Sequence, residues 1–325
     1  MRKVALPSES TWRSVRLGKN LYVNLVTARP RGEDSQFPVG VIAYDMLAFV
    51  ESDSRGGITR LGRFSQIGLL GNRGIAYRNH RVGLPTFVIS DETWQPLLHG
   101  SCRKLHGRDG DRSKEADLLL GFSATSESRP AVLFLTGDQI YADDVSSGLV
   151  PIITRLGRNL VGNDRTFSNL PPDRSSFCRQ LGFTSGDSEH HLLSLGEFAA
   201  MYALTFSPHN WPRTLSSETL RDAKTGVFAA HRLLANMATY MIFDDHEVTD
   251  DWNITKSSIE VVKNNRLTRK VVGNALCAYW AFQDWGNDPS APRHELIIRQ
   301  LDRADGKPAR TYSDRRCESD MFFSF

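Results

Sequence analysis

Residues 239–253 read TYMIFDDHEVTDDWN, an apolar run followed at once by a dense acidic segment. The continuous apolar run is typical of a strand that is buried on both faces of a sheet. The ten residues from Asp244 to Asn253 include four Asp, one Glu and one His. So many carboxylates repel one another and destabilise a fold unless a cation lies among them. The segment therefore predicts a metal site at the end of a buried strand, rather than an ordinary histidine hydrogen-bonded to an aspartate.

A second segment repeats this arrangement, because residues 131–144 read AVLFLTGDQIYADD. Gly137 permits a tight turn at the strand end, which directs Asp138 out of the sheet edge. The three carboxylates and one phenol between Asp138 and Asp144 are costly to bury unless a bound cation neutralises them or water solvates them. Taken alone, this segment fits a metal site and an acidic loop facing water equally well.

A third segment, residues 97–104, reads LLHGSCRK and places a cysteine beside two basic residues. The basic residues favour the thiolate of Cys102, which binds soft and intermediate metals. A cysteine at a strand end is more often a small buried apolar residue, so this segment is weak on its own. All three segments follow apolar strands, and open α/β sheets bind ligands at the carboxyl ends of their strands. We therefore expect Asp138 and Asp245 to lie close together, although 107 positions separate them.

The organisation of the chain changes near residue 96. Residues 1–95 carry short strand-like stretches without a helical period or an acidic cluster, which predicts a small β-rich accessory domain that contributes no metal ligand. Residues 96–325 alternate strand-like runs with amphipathic helical patterns, which predicts an α/β catalytic domain. Residues 145–190 are rich in Gly, Ser, Asn, Asp and Pro and favour either a long insertion over the site or a mobile loop. Ser194 and Glu197 have the spacing of a helix capping box.

Composition and charge exclude several classes of protein. The chain has 325 residues, of which 40 are Lys or Arg and 37 are Asp or Glu. A net charge of +3 is too small to indicate binding to nucleic acid or to an anionic membrane. Four scattered cysteines without a CxxC pair exclude a zinc ribbon and disfavour a disulfide framework. No apolar run is long enough to span a bilayer, and no secretory signal is visible, so we expect a cytoplasmic protein.

Together, these motifs resemble those of the alkaline phosphatase D (PhoD-like) family of metallophosphatases. The resemblance is carried by Gly100–Arg103, Gly137–Asp143, Phe243–Trp252, Ala278–Gln283 and Trp285–Asn287. The order of a β-rich segment followed by a catalytic α/β segment also agrees with the family. The resemblance implies a two-metal phosphoesterase, built as a four-layer αββα sandwich, that hydrolyses phosphate monoesters or diesters.

The resemblance also implies a set of metal ligands. It assigns metal binding to Cys102, Asp138 and Tyr141, with Asp138 as the bridging carboxylate. Asp245 and His246 take the places of the metal-binding Asn and the catalytic His in the Gly-Asn-His-Asp/Glu motif of calcineurin-like phosphatases, although an Asp stands in place of the Gly. A thiolate and a phenolate suit Fe(III), and the carboxylates suit Ca²⁺ or another divalent cation beside it.

The expected reaction follows from this metal pair. Two cations hold the phosphate oxygens and lower the pKa of bound water, and the metal-activated hydroxide attacks phosphorus in line. His246 is expected to protonate the leaving alkoxide or to stabilise the equatorial oxygens. Arg103 is expected to clamp the phosphate of the phosphate-ester substrate, with a surface role equally open.

The chain departs from the family pattern after His246. The family has further His-bearing motifs downstream, whereas His294, in the stretch PRHE, is the sole histidine beyond His246. We therefore expect the front portion of a longer enzyme, with an incomplete sandwich, weak metal retention and exposed apolar faces. Two alternatives remain open. One is a truncated, catalytically impaired metal-binding or interaction protein, and the other is a hydrolase with Cys102 as its nucleophile and a distant histidine as base.

Overall fold

The computed structural model describes most of the chain and shows a mixed α/β fold. The described residues are 8–30, 36–52, 57–78, 82–91, 94–123, 128–164, 166–167, 173–215, 217–252 and 255–305. Asn253, Cys317 and the rest of residues 306–325 lie outside them. None of the helices within these ranges combines the length and the apolar character needed to cross a membrane.

Six strands lie within residues 8–91, and the described part of this segment contains no α-helix. They pair as three two-stranded antiparallel sheets: β1 (Ser8–Arg16) with β2 (Tyr22–Pro30), β3 (Gly40–Ala43) with β6 (Thr86–Ile89), and β4 (Leu47–Ser52) with β5 (Gly57–Arg63). These strands agree with the β-rich pattern of the sequence. Val15 and Leu17 pack into the same hydrophobic core as the later helices. The independence of residues 1–95 as a domain stays a prediction.

A parallel sheet of three strands positions the acidic segments. It consists of β7 (Leu97–Gly100), β8 (Val132–Thr136) and β9 (Ala238–Ile242), in the order β7-β8-β9. The register sets Gly100 opposite Leu135 and Thr136 opposite Ile242, so the three strands end at one edge of the sheet. The apolar runs thus form strands where the sequence predicts them.

Two helices pack together beside this sheet. α1 (Ser113–Phe122) connects β7 to β8, and α5 (Glu218–Ala235) leads into β9. Leu120 of α1 and Leu233 of α5 share a small hydrophobic cluster with Leu133 of β8. This cluster covers one face of the sheet.

The prediction that these strands are buried on both faces is wrong. Leu133 is 4% exposed, whereas Phe134 is 40%, Tyr240 46% and Ile242 55% exposed. The rings of Phe134 and Tyr240 stack on the open face with their centroids 5.9 Å apart. An apolar run indicates that both faces of a strand could be buried, but it does not indicate which layers of the fold cover them. The described residues cover one face only.

The main hydrophobic core lies among the remaining helices. These are α2 (Val150–Leu160), α3 (Ser175–Gln180), α4 (Leu195–Phe206), α6 (Lys256–Asn264), α7 (Arg266–Tyr279), α8 (Trp285–Asn287) and α9 (Pro292–Asp305). The predicted capping box at the start of α4 is confirmed, since the Ser194 hydroxyl accepts the Glu197 N–H and the Glu197 carboxylate accepts the Ser194 N–H. A Cβ atom on Gly157 of α2 would lie 2.5 Å from the carbonyl oxygen of Gly196, so these two helices meet backbone to backbone.

Of the two alternatives for residues 145–190, the mobile loop is wrong for much of that segment, whereas the insertion over the site stays a prediction. α2 and α3 lie within it, and Leu149, Ile153 and Cys178 are buried in the main core. The polar composition of the segment masks a helical period, because Leu149, Ile153 and Leu160 follow one another at intervals of four and seven residues. The composition of residues 145–190 therefore does not predict the helices α2 and α3.

Candidate metal centre

The three predicted segments converge at the carboxyl edge of the parallel sheet. A carboxylate oxygen of Asp138, a carboxylate oxygen of Asp245 and a ring nitrogen of His246 all lie within 4.8 Å of one another. The predicted approach of Asp138 to Asp245 is therefore confirmed. The thiol of Cys102 lies 3.5 Å from Asp138 Oδ2. Backbone bonds tie the first two loops together, since the Arg103 N–H donates to the Asp138 carbonyl over 2.8 Å.

The backbone is strained at this edge. Cys102, Asp138 and Asp251 have φ values of 53°, 51° and 57°, and they are the only non-glycine residues with positive φ in the described part of the chain. The left-handed conformation costs an L-residue roughly 1–2 kcal/mol. Residues held in such conformations cluster at functional sites. All three of these lie within the predicted metal-binding segments.

Asp138 carries the clearest electrostatic signal. Its side chain is buried, and its Oδ1 atom has no hydrogen-bond partner. Burial raises the pKa of Asp138, partly offset by His246. A buried carboxylate oxygen without a partner is costly, and a cation offsets this cost. The residues present therefore fit a metal ion, with Asp138, Asp245 and His246 around it.

His246 is oriented by Asp143, to which the sequence analysis assigned no role. His246 Nδ1 lies 2.9 Å from Asp143 Oδ1, and Asp143 is 1% exposed. Burial lowers the pKa of His246, but the hydrogen bond to Asp143 and the surrounding carboxylates outweigh it and raise the pKa to about 9. Burial raises the pKa of Asp143, and the hydrogen bond from His246 outweighs it and lowers the pKa to about 2. Histidine ligands of metals typically make such a hydrogen bond through their second ring nitrogen.

Tyr141 and Cys102 lie beside this group. The Tyr141 ring lies against the His246 ring, with the centroids 4.2 Å apart. Burial, and then the charges of Asp138 and Cys102, raise the pKa of the Tyr141 phenol. Cys102 does not belong to the set of ligand atoms within 4.8 Å of one another. The ligation of a metal by Cys102 and Tyr141 stays a prediction.

A second acidic group shares Asp245. Carboxylate oxygens of Asp245, Asp250 and Asp251 also lie within 4.8 Å of one another. Asp245 therefore belongs to both groups, whereas the resemblance implies that Asp138 is the bridging carboxylate. Asp251 is exposed and Asp250 half-buried, so water relieves much of their mutual repulsion. Both residues lie within the acidic motif of the sequence, but neither was predicted to be a ligand.

Glu247 joins the loops that follow β8 and β9, and the sequence analysis gave it no role. It is fully buried and accepts hydrogen bonds from the backbone N–H groups of Asp138, Gln139 and Asp244. Burial raises its pKa to about 7. The spacing of Asp244 and Glu247 is that of a capping box, which was the available signal.

Arg103 and Lys104, the basic residues of the third segment, contact different partners. Arg103 donates to Asp111 through Nε and Nη2 and to the Thr205 carbonyl through Nη1. Its guanidinium thus has three of its donors engaged by the protein, and its role as a phosphate clamp stays a prediction. Lys104 instead pairs with Asp144 and places its ammonium 5.4 Å from the centroid of the Tyr141 ring. Lys104 is therefore the basic side chain that lies next to the residues around His246.

Comparisons with protein-family models, with curated proteins and with solved structures find no match to this chain. The chemistry of the centre is therefore inferred from its own residues.

Proposed function

We propose that the protein is a metal-dependent phosphoesterase, which hydrolyses phosphate ester bonds at the carboxyl edge of the parallel sheet. One observation carries this proposal. The buried Asp138 carboxylate has one oxygen without a hydrogen-bond partner, and an oxygen of this carboxylate lies within 4.8 Å of ligand atoms of Asp245 and His246. Gathering two carboxylates in this way is unfavourable in the absence of a cation. Metal centres of carboxylates and histidine at such an edge suit the hydrolysis of phosphate esters.

The side chains divide between two metal positions. Asp138, Asp245 and His246 would hold one ion, with Cys102 and Tyr141 beside Asp138 as the predicted donors to Fe(III). Asp245, Asp250 and Asp251 would hold the second ion, and their oxygen atoms suit Ca²⁺ or another divalent cation. When bound, such ions supply Lewis acidity and lower the pKa of a coordinated water.

The remaining residues orient the substrate and move a proton. Asp143 accepts a hydrogen bond from Nδ1 of His246. Nε2 is therefore the ring nitrogen that would bind the ion or protonate the leaving alkoxide. The ammonium of Lys104 pairs with Asp144 and lies over Tyr141, and we propose that it exchanges this partner for an anionic phosphate group of the substrate. The site otherwise carries an excess of carboxylates, so the substrate anion depends on Lys104 and on bound cations for its attraction.

The fold gives this proposal further support. The four-layer αββα sandwich has two packed sheets, and each inner sheet face is covered by the other. The open face of β7-β8-β9 carries Leu97, Phe134, Tyr240 and Ile242, all at least 40% exposed. We assign this sheet to one inner layer of such a sandwich, with the open face as the surface that the second sheet covers.

Metal binding without turnover is the second candidate function. It is favoured by one observation, namely that His246 is the sole imidazole in the metal-binding groups of the described residues. The later His294 is 2% exposed and accepts a hydrogen bond from the indole of Trp280, so it is engaged elsewhere. Where a protein donor is missing, exchangeable water takes its place and the affinity for the ion falls.

Hydrolysis of an aryl phosphate tests the proposal. The purified protein, supplied with Ca²⁺, Fe(III) or Mn²⁺, should release the phenol, and a chelator should abolish this activity. Asp245→Asn should abolish it as well, because Asp245 belongs to both metal groups. Asp117→Asn is the matched control, since Asp117 is a buried aspartate paired with Arg232 in another part of the fold. Metal binding without any hydrolysis would favour the second candidate function, and activity that survives in Asp245→Asn would refute the first.

A further inference from the structure

Glu247 makes an unusually complete set of hydrogen bonds. Its Oε2 accepts the N–H of Asp138 over 3.1 Å and the N–H of Asp244 over 2.9 Å. Its Oε1 accepts the N–H of Gln139 over 2.7 Å and the side-chain amide of Gln283 over 3.2 Å. A carboxylate offers about four acceptor positions, so these donors fill it. The side chain is 0% exposed.

These bonds connect two loops that are distant in sequence. Asp138 and Gln139 follow β8, whereas Asp244 follows β9, and 109 positions separate Asp138 from Glu247. The two loops are also in direct contact, because a Cβ atom on Gly137 would lie 2.4 Å from the Cβ of Asp244. Each loop carries one of the carboxylates of the metal-binding group, Asp138 on the first and Asp245 on the second.

The two carboxylates repel each other until a cation binds, and this repulsion drives the loops apart. The buried Glu247 carboxylate is bonded to the backbone of both loops, so it opposes that movement. Its acceptor positions are filled by these bonds, so it does not compete for the ion. We propose that Glu247 is the positioning residue of the metal centre, which holds Asp138 and Asp245 in their binding arrangement before the metal arrives. This inference rests on the proposed metal centre and extends it to a residue that touches neither the ion nor the substrate.

The chain contains a matched control for this role. Glu197 is also a buried capping-box glutamate, with its carboxylate bonded to the N–H groups of Leu193 and Ser194 and to Arg174. It supports the start of α4 and holds no residue of the metal-binding groups. Loss of its carboxylate therefore reports the cost to folding alone.

The test compares Glu247→Gln with Glu197→Gln and with the wild type. Glutamine has one acceptor oxygen, and its amide nitrogen meets backbone N–H groups that donate, so the bridge between the loops is broken. The dissociation constant for Mn²⁺, measured by calorimetric titration, should rise about 10- to 100-fold in Glu247→Gln, the usual effect of removing a group that orients metal ligands. Glu197→Gln should leave it within twofold of the wild type, although thermal unfolding of both variants shifts downward.

Gln283→Leu provides a milder perturbation if Glu247→Gln does not fold. It removes one of the four donors to Glu247 and should weaken Mn²⁺ binding by a smaller factor, about two- to fivefold. Unchanged binding in the folded Glu247 and Gln283 variants, or equal weakening in Glu197→Gln, would overturn the positioning role. A wild-type protein that binds no Mn²⁺ would instead overturn the metal centre itself, so the two failures are distinguishable.

Discussion

Replacing Asp138 by Asn should stabilise the metal-free protein. The Asp138 side chain is 4% exposed and its Oδ1 has no hydrogen-bond partner. Burial raises its pKa, and Asp244 and Asp245 raise it further, so its ionised form lowers the stability of the fold at neutral pH. An unsatisfied buried polar group costs about 1–3 kcal/mol. Asparagine is neutral and also tolerates a left-handed backbone, so the substitution should recover about that much.

The same substitution should abolish the stabilisation by metal. At a concentration of 1,000 times the dissociation constant, Mn²⁺ adds about 4.1 kcal/mol to a protein that binds it only when folded. The wild type should gain this amount and Asp138→Asn should gain none, so the order of the two stabilities reverses when metal replaces chelator. Differential scanning calorimetry measures this as a change in Tm, at about 2–4 °C for each kcal/mol in domains of 150–250 residues.

Asp117→Asn separates this effect from the general loss of a buried carboxylate. Asp117 is 3% exposed and is bonded to Arg232 and Tyr77. Its replacement should lower the Tm with chelator and with Mn²⁺ alike, because it leaves the half-buried guanidinium of Arg232 without its carboxylate partner. A Tm for Asp138→Asn below that of the wild type in chelator would refute the role assigned to Asp138. An equal increase in Tm with Mn²⁺ in both proteins would refute it as well.

The other predictions concern the two loops and the groups beside them. In the metal-free protein, the pKa of His246 should lie near 9 and fall by about 1 to 3 in Asp143→Asn. NMR titration of the imidazole measures both values. An unchanged pKa in Asp143→Asn would contradict the pairing of His246 with Asp143. Because the folded-state pKa of His246 is raised, its contribution to stability is present below about pH 6.5 and is lost as the pH rises through about 9. The gap in unfolding free energy between the wild type and His246→Gln should therefore shrink over that range in denaturant titrations. Gly137→Ala should lower both the Tm and the affinity for Mn²⁺. Gly162→Ala is the control, because Gly162 has a similar positive φ but nothing within 4 Å of its Cβ position, and it should lower only the Tm. An equal loss of Mn²⁺ affinity in the two variants would argue against close contact of the loops. Lys104→Met should raise the KM for an aryl phosphate with little change in kcat, and Lys104→Arg should restore the KM of the wild type. Lys114→Met, which breaks the ion pair with Asp222, is the control. An unchanged KM in Lys104→Met would exclude the contact with substrate.

Much of the centre was predictable from sequence because its parts follow strands. The apolar runs of β8 and β9 are local signals, and parallel strands bring their carboxyl ends to one edge. Asp138 and Asp245 were therefore expected to meet, and they do. The capping box of Ser194 and Glu197 is another local signal, since its residues are three positions apart.

Other features depend on contacts that the sequence does not reveal. For Arg103 the sequence left a phosphate clamp and a surface role equally open, and it did not reveal the contacts with Asp111 and with the carbonyl of Thr205, which is 102 positions away. Glu247 shares the capping-box spacing with Glu197, yet two of its donors come from the loop after β8. The open face of the sheet was missed for the same reason, because an apolar strand does not specify the layers that cover it.

The metal content of the protein tests the central claim most directly. The wild type and the double variant Asp138→Asn, Asp245→Asn are dialysed to equilibrium against Ca²⁺, Fe(III) or Mn²⁺, and the metal bound above the level of the dialysis buffer is measured by mass spectrometry. The structure predicts stoichiometric metal in the wild type and none above background in the double variant, whose two carboxylates belong to the group within 4.8 Å. Wild-type protein without metal after every dialysis, or equal metal in the double variant, would contradict the metal centre.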